Sequence, residues 1–263
     1  MLGTTAISPD PWEERLTAAL VSEGYGQFEL GKIASENALQ NSILDLASEW
    51  SGRRLLNLAQ LHEILPSEKL NEFRMAAIRM INTHPTYRED LLQRMHPLLR
   101  GLLGPDLAVQ KNLSLVLSLP GDETSQIPLH SDVMMGHSPF ELNLWIPWTP
   151  VSATQSMFLL PLSKWRGARS TGELKEGTLQ GLFEGWRDSF EFLSMDPGQA
   201  VLFWHHLPHG NVVNRERTTR WSLNVRFKNL FSPYGEKGLG DYFVPWKYGP
   251  VTEISLRDSR LWV

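Results

Sequence analysis

The tripeptide His130-Ser131-Asp132 places an imidazole and a carboxylate two residues apart. On a β-strand, side chains at this spacing point to the same side of the strand, so both groups could reach one metal ion. The tripeptide alone is weak support, because a chain with 8 histidines contains a His-x-Asp by chance fairly often. A surface turn that carries one unrelated histidine is the alternative.

A second histidine at the end of a predicted strand strengthens the metal interpretation. Residues 196–210, DPGQAVLFWHHLPHG, read as a turn, an apolar strand and then His209 in front of Gly210. Two histidines and one carboxylate on a β scaffold form a facial triad, which leaves three positions of an octahedral iron open for other ligands. His130, Asp132 and His209 could form such a triad.

An arginine eleven residues beyond His209 could anchor a dianionic cosubstrate. A dianion that filled two of the open iron positions would leave one for oxygen, and its distant carboxylate would need a fixed partner. Arginine offers two parallel hydrogen bonds to a carboxylate, which lysine does not. Arg220 and Ser222 share one face of their predicted strand, so both could bind the same carboxylate. The alternatives are a salt bridge to a nearby acidic residue and an outward polar face that also contains Asn224 and Arg226.

Three further histidines lie near these residues in the sequence. His205 and His206 are interpreted as strand residues, one of them beside the metal ligands. His137 follows Asp132 by five residues in the turn MGHSP. It is expected to be exposed to solvent, with contact to a substrate as the alternative.

At these positions the sequence resembles a known enzyme family. The segments LHSD at 129–132, GQAVLFWHHLPHGN at 198–211 and RWS at 220–222 are similar to the iron(II)/2-oxoglutarate-dependent dioxygenases. They are most similar to the phytanoyl-CoA dioxygenase-like group, whose pattern also has an asparagine shortly after the His-Gly, which Asn214 matches. The resemblance covers residues 107–231, and the helical first hundred residues match no motif of the family.

One segment departs from the pattern of that group. Residues 155–164, QSMFLLPLSK, resemble a segment that ends in Pro-Gly-Ser-His in the group. Here Leu162 and Lys164 stand in place of the glycine and the histidine. The substrate side of this loop is therefore expected to differ from that of the group.

The resemblance implies both a fold and a reaction. The fold is a double-stranded β-helix, or jelly roll, of the cupin-like kind. His130, Asp132 and His209 would hold Fe(II), and Arg220, helped by Ser222, would bind the far carboxylate of 2-oxoglutarate. The implied reaction consumes O2 and 2-oxoglutarate, releases succinate and CO2, and hydroxylates a substrate.

Two asparagines are further candidate contacts of the cosubstrate. Asn112 and Asn143 lie on predicted strands that would border the pocket. Ordinary sheet positions with no role in binding are the alternative for both.

The first hundred residues show the 3.6-residue apolar period of amphipathic helices. Asp10-Pro11 supplies a cap and a proline for the first helix, and Gly24 is expected to end it. Apolar residues spaced three and four apart predict three more helices, over 39–50, 70–81 and 91–102. Pro97 is expected to kink the last of these helices, and Gly104-Pro105 to end it.

Beyond residue 106 the apolar period changes from 3.6 to 2, which predicts strands. Alternation is clear over 113–119, 142–148 and 220–227, and short apolar runs follow at 156–162, 190–195 and 199–206. Short strands divided by Gly, Pro and Asp favour a sandwich or barrel over parallel βαβ units. The prediction is one domain over 1–263, mainly β with α, made of a helical N-terminal layer (1–106), a jelly-roll core (107–231) and a C-terminal wrap (232–263).

Composition and charge exclude several classes of protein. The chain has 25 Lys and Arg against 29 Asp and Glu, and this net charge of -4 argues against nucleic-acid binding. It contains no cysteine, which excludes disulfides, thiolate-bound zinc, iron–sulfur clusters and a cysteine nucleophile. No run of about 18 apolar residues predicts a membrane span, and the first residues do not read as a secretory signal, so a cytoplasmic protein is expected.

The expected activity is hydroxylation of an unactivated C–H bond in a small or mid-sized molecule. Segments 130–148 and 156–165 are similar to a branch of the family associated with carbohydrate biosynthesis clusters, which implies a sugar or a glycan intermediate as substrate. A secondary-metabolite scaffold is the next candidate, and a peptide substrate stays open. Two alternatives stay open. One is a non-catalytic jelly-roll protein that binds glycan through tryptophans, and the other is a metal-dependent cupin isomerase or epimerase. The sequence does not indicate an oligomeric state.

Overall fold

The computed structural model describes residues 11–170 and 185–258, and the N-terminal part of this range is helical as predicted. Its four helices are α1 (Pro11–Glu23), α2 (Glu36–Ser51), α3 (Leu70–Thr83) and α4 (Tyr87–Leu103). Gly24 follows α1 with a φ of 78°, and Gly104 follows α4 with a φ of 88°, a conformation that glycine adopts at little cost. Pro97 lies inside α4. None of the helices in the described ranges combines the length and apolarity needed to cross a membrane.

The strands form two antiparallel sheets, which agrees with the prediction against parallel βαβ units. The larger sheet has the strand order β1 (Tyr25–Glu29), β7 (Gln199–Trp204), β4 (Glu141–Pro147), β9 (Arg220–Asn229), β2 (Leu107–Gln110) and β10 (Phe243–Lys247), with β3 (Ser114–Ser118) also paired to β9. The smaller sheet has the order β6 (Glu191–Phe192), β5 (Met157–Leu159) and β8 (His209–Asn211). Two further helices are α5 (Leu162–Ser170) and α6 (Pro250–Arg257).

Strand β9 packs its apolar face into the hydrophobic core and buries polar side chains on its other face. Its apolar residues belong to the same buried cluster as the inward faces of α2, α3 and α4. The Trp221 ring meets the Phe73 ring edge to face, with the ring centroids 6.1 Å apart, a favourable arrangement for two aromatic rings. Burying one large apolar side chain stabilises a fold by about 1.5–3 kcal/mol. On the other face, Arg220 and Ser222 are also buried, so this face is not the outward polar face that the sequence left open.

Four strands were not predicted from the sequence. One is β8, which begins at His209 in the smaller sheet, so His209 does not end the apolar strand β7 as predicted. β1 pairs with β7, and β2 lies between β9 and β10. β10 belongs to the segment 232–263, for which the sequence shows no period, and its pairing with β2 shifts register between Pro245 and Lys247. These are short strands, and their pairing with distant partners is not visible as local alternation.

Candidate active site

Strand pairing brings His130 and His209 together. The backbone N–H of each residue donates to the carbonyl of the other, at 3.0 and 2.8 Å, and the ring centroids are 4.4 Å apart. Asp132 begins a short 3-10 turn, Asp132–Met135, and its Oδ1 lies 3.9 Å from Nε2 of His130. His130 therefore sits on an isolated bridge and Asp132 on a turn, not on the regular strand that the sequence suggested. One potential ligand atom from each of the three residues lies within 4.8 Å of the others.

Backbone carbonyls orient both imidazoles for metal binding. Nδ1 of His130 lies 2.9 Å from the carbonyl of Pro128, and Nδ1 of His209 lies 2.9 Å from the carbonyl of Leu207. When Nδ1–H donates to these carbonyls, the lone pair of Nε2 is free for a metal. Burial lowers the pKa of His209 to about 4, against the opposing effect of the Asp132 charge. His209 is therefore neutral at pH 7, as a metal ligand must be.

Asp132 is held by two side chains that leave it able to bind a metal. Arg226 donates from Nη2 to Oδ1 at 3.0 Å and from Nε to Oδ2 at 3.3 Å, and Asn143 donates to Oδ2 at 3.3 Å. Burial alone would raise the pKa of Asp132, but Arg226, followed by His205 and His209, holds it well below its usual value. Each carboxylate oxygen has two lone pairs, so an oxygen bonded to Arg226 can still be a ligand.

Arg226 was not singled out in the sequence. A signal was present, because it lies on the same face of β9 as Arg220 and Ser222, at the spacing of alternate residues. The sequence could not show that this face meets Asp132.

A small cavity connects the two candidate histidine ligands to Arg220. Its walls include the two histidines and side chains from both sheets: His130, Asn143, Trp145, Met157, Phe203, His209, Arg220, Asn224 and Arg226. Arg220 is 2% exposed and donates from Nη1 to the carbonyl of Gln155 at 3.1 Å. Its Nε has no hydrogen-bond partner, and neither do Oγ of Ser222 and Oδ1 of Asn143.

The Arg220 guanidinium is buried without a counter-charge. No carboxylate in the described part of the chain forms an ion pair with it. Burial lowers its pKa to about 10. A buried cation is costly unless it meets an anion, so this position can bind the carboxylate of a ligand. The salt bridge that the sequence left open as an alternative is not found there.

Two asparagines noted in the sequence lie elsewhere. Asn112 is exposed in the bend before β3 and is not part of the cavity wall, so its position does not support the predicted contact with a cosubstrate. Asn214 is buried and donates to the carbonyls of Ser118 and Thr218 at 3.2 and 2.9 Å, which stabilises the loop before β9. The expectation that His137 is exposed is wrong, because it is 7% exposed and contacts Glu141.

Gly210 is expected to be essential for the arrangement of the ligands. A Cβ at this position would lie 2.8 Å from the carbonyl oxygen of Ile127 and 2.9 Å from the Phe158 ring. We expect Gly210→Ala to displace the backbone beside His209, destabilise the protein by about 1–3 kcal/mol and weaken metal binding. Chemical denaturation and a Zn²⁺ titration measure the two effects.

The matched control is Gly101→Ala in α4, where an added Cβ meets nothing within 4 Å. This change is expected to leave metal binding intact and to stabilise the helix by up to about 1 kcal/mol. A Gly210→Ala protein with the stability and zinc affinity of the unmodified chain would contradict the prediction.

Comparison with known proteins identifies similar folds. No protein-family model and no curated protein matches the sequence. Among solved structures, the chain is similar to EctD from S. alaskensis with 2-oxoglutarate and 5-hydroxyectoine, at 16% identity over 88% of this chain and 80% of that chain, with a TM-score of 0.59. The apo form of the non-heme monooxygenase ThoJ is 18% identical over 89% and 84%, with a TM-score of 0.52. The non-heme alpha-ketoglutarate-dependent epimerase SnoN from nogalamycin biosynthesis is 17% identical over 84% of both chains, with a TM-score of 0.50. At these identities the similarity shows a shared fold.

Proposed function

We propose that this chain is an iron(II)- and 2-oxoglutarate-dependent dioxygenase of the phytanoyl-CoA dioxygenase-like group. One observation carries the proposal: the buried Arg220, which has no ion-pair partner in the described ranges, lines the same cavity as His130 and His209. A guanidinium and a set of metal ligands around one cavity fit a cosubstrate that carries a carboxylate at one end and binds metal at the other. The similar fold of EctD, whose structure holds 2-oxoglutarate, supports this assignment.

Each residue of the proposed site has a defined task. His130, Asp132 and His209 hold the iron, and Arg220 binds the far carboxylate, to which Oγ of Ser222 can donate. Bound iron supplies O2 activation, coupled to the conversion of 2-oxoglutarate into succinate and CO2 and to oxidation of the substrate.

Other groups of the cavity keep the site ordered and dry. Asn143 fixes Asp132 through Nδ2, and its Oδ1 can accept a hydrogen bond from water or from a substrate hydroxyl. Trp145 and Phe203 are buried in the cavity wall and exclude water. The two antiparallel sheets support the interpretation of the core as a double-stranded β-helix within one domain.

The proposed reaction is hydroxylation of a C–H bond in a small or mid-sized molecule, with a sugar or a glycan intermediate as first candidate. The resemblance of segments 130–148 and 156–165 supports the sugar. Met134 and Met135 end the turn that Asp132 begins, and they are 59% and 58% exposed. Ile127 of the cavity wall is 38% exposed. A substrate with an apolar face beside its hydroxyl groups fits these surroundings.

Neither alternative function explains why the Arg220 guanidinium is buried without an ion-pair partner in the described ranges. A glycan-binding protein that does no chemistry needs neither the convergent ligands nor a buried guanidinium. A metal-dependent isomerase or epimerase of the cupin kind needs the metal but not the Arg220–Ser222 pair. We therefore place the dioxygenase first.

The test is an anaerobic titration of metal-free protein with Fe(II) and then with 2-oxoglutarate. We expect a weak visible absorption band when 2-oxoglutarate joins the iron, and we expect His130→Ala and Arg220→Ala to lose or weaken it. Iron binding without the band would favour the isomerase or epimerase. If neither ligand binds, the proposal fails and the glycan-binding protein replaces it.

A further inference from the structure

A second cluster of potential ligands lies beside the first. It consists of His137, Glu141 and His205, all buried, and one potential ligand atom from each lies within 4.8 Å of the others. His137 follows the turn that begins at Asp132, Glu141 is the first residue of β4, and His205 directly follows β7. We refer to these three residues as the inner cluster.

Glu141 is a buried carboxylate without a permanent cation. It is 0% exposed, and no Lys or Arg of the described chain forms an ion pair with it. Lys228 stands opposite Glu141 on β9, but its ammonium donates to the carbonyl of Pro233 at 2.7 Å and lies 3.4 Å above the centre of the Tyr234 ring. Buried carboxylates are paired with a cation or coordinate a metal. Glu141 therefore needs a positive charge from inside the cluster.

Both imidazoles of the cluster face the same oxygen. Oε2 of Glu141 lies 2.7 Å from Nδ1 of His137 and 3.2 Å from Nδ1 of His205, whereas Oε1 accepts the backbone N–H of Ser138 at 2.9 Å. Ligand atoms that share one zinc ion at 2.0–2.1 Å stand roughly 3–3.5 Å apart, so the 3.2 Å spacing suits a common ion. The 2.7 Å spacing is a hydrogen bond between His137 and Glu141, which a bound ion would replace with a slightly wider contact. His205 is fully buried, yet neither of its ring nitrogens makes a hydrogen bond.

We propose that His137, Glu141 and His205 bind a divalent transition-metal ion of the Zn²⁺ type, in addition to the ion held by His130, Asp132 and His209. Two histidines and one glutamate are an established ligand set for zinc, with one position left for water. The bound ion would supply the positive charge that Glu141 lacks.

The two sites share Asp132. A metal on Nδ1 of His205 leaves the proton on Nε2, and this nitrogen lies 3.4 Å from Oδ2 of Asp132. A metal-bound imidazole commonly donates its other N–H to a carboxylate. This N–H forms no hydrogen bond here, and Oδ2 of Asp132 is placed to accept one after a small adjustment of the ring. Asp132 would then be a ligand in the first site and the partner of a ligand in the inner cluster. A protonated His205 is the competing source of charge, and metal stoichiometry separates the two.

The experiment uses the full chain and Zn²⁺ alone, so it does not depend on the proposed dioxygenase activity. Metal-stripped protein is saturated with Zn²⁺, passed through gel filtration and analysed for zinc per chain. We expect two ions in the unmodified protein, one in His130→Ala, one in His205→Gln and none in the double variant. His206→Gln, at the next position in the chain but outside both ligand groups, is the matched control and should retain two.

The variants separate the failure of either site. One ion in the unmodified protein and none in His130→Ala would overturn the inner cluster. One ion that is kept in His130→Ala but lost in His205→Gln would support the inner cluster and count against the first site. If His205→Gln does not fold, as judged by circular dichroism, the zinc content of His130→Ala decides alone, because His130 is partly exposed and its truncation leaves the core intact.

Discussion

Replacing Arg220 by alanine is expected to raise the concentration of 2-oxoglutarate needed for half-saturation by about 30-fold or more. Loss of one partner from a buried charge pair costs about 2–5 kcal/mol. The next cation on the same face of β9 is Arg226, and it cannot replace Arg220 because its guanidinium is already hydrogen-bonded to Asp132. Anaerobic titration of the iron-loaded protein with 2-oxoglutarate measures the change. Arg217→Ala, an exposed arginine in the loop before β9, is the matched control and should leave the titration unchanged.

Replacing Arg220 by methionine, which keeps the side-chain volume, should not destabilise the ligand-free protein. Arg220 is buried without an anion, so Arg220→Met removes an uncompensated charge and is expected to leave the melting temperature unchanged or raised. Added 2-oxoglutarate should stabilise only the protein that retains Arg220. An Arg220→Met protein that melts well below the unmodified chain, or that binds 2-oxoglutarate equally well, would show that Arg220 has a structural partner instead.

The second large effect is expected at Arg226, which holds the buried carboxylate of Asp132 at both oxygens. Arg226→Met leaves that carboxylate without its cation, and breaking a buried ion pair in this way costs about 3–5 kcal/mol. Urea denaturation of metal-free protein measures the loss. A divalent ion at Asp132 would replace part of the missing charge, so Zn²⁺ should recover more stability in the variant than it adds to the unmodified protein.

A second substitution identifies the cause of that loss. In Arg226→Met/Asp132→Asn no carboxylate remains to be compensated, so much of the stability should return while zinc binding at the first site is lost. If the double variant is as unstable as Arg226→Met alone, the packing of the Arg226 side chain, and not its charge, stabilises the protein.

The grouping of His130, Asp132 and His209 could be predicted because the His-x-Asp and His-Gly motifs resemble the pattern of the dioxygenase family. The two faces of β9 could also be predicted, because Trp221 and Leu223 alternate with Arg220 and Ser222 along the strand. The helices followed from apolar spacing, which is a local property of the sequence. The helices and the two faces of β9 need no knowledge of distant contacts, whereas the contact between His130 and His209 joins residues far apart in the sequence.

Long-range contacts account for what was missed. His205 lies 64 residues beyond Glu141 in the sequence, and only the pairing of β7 with β4 brings them together. His137 looked like a loop residue because the sequence does not show that its imidazole packs edge to face against the rings of His205 and Tyr242. β1 and β10 are likewise strands because of the partners they meet, with little periodicity of their own.

The reciprocal hydrogen bonds between His130 and His209 have a consequence for the supply of metal in a cell. The backbone sets the separation of these two imidazoles, but a triad leaves three positions around a bound ion open, so the protein fixes only half of the coordination shell and selects weakly among first-row ions. Under the Irving–Williams order Cu²⁺ and Zn²⁺ bind such nitrogen and oxygen ligands more tightly than Fe²⁺ does. An enzyme built in this way would depend on the abundance of free iron and on the scarcity of its competitors, and mismetallation would be its characteristic form of inactivation.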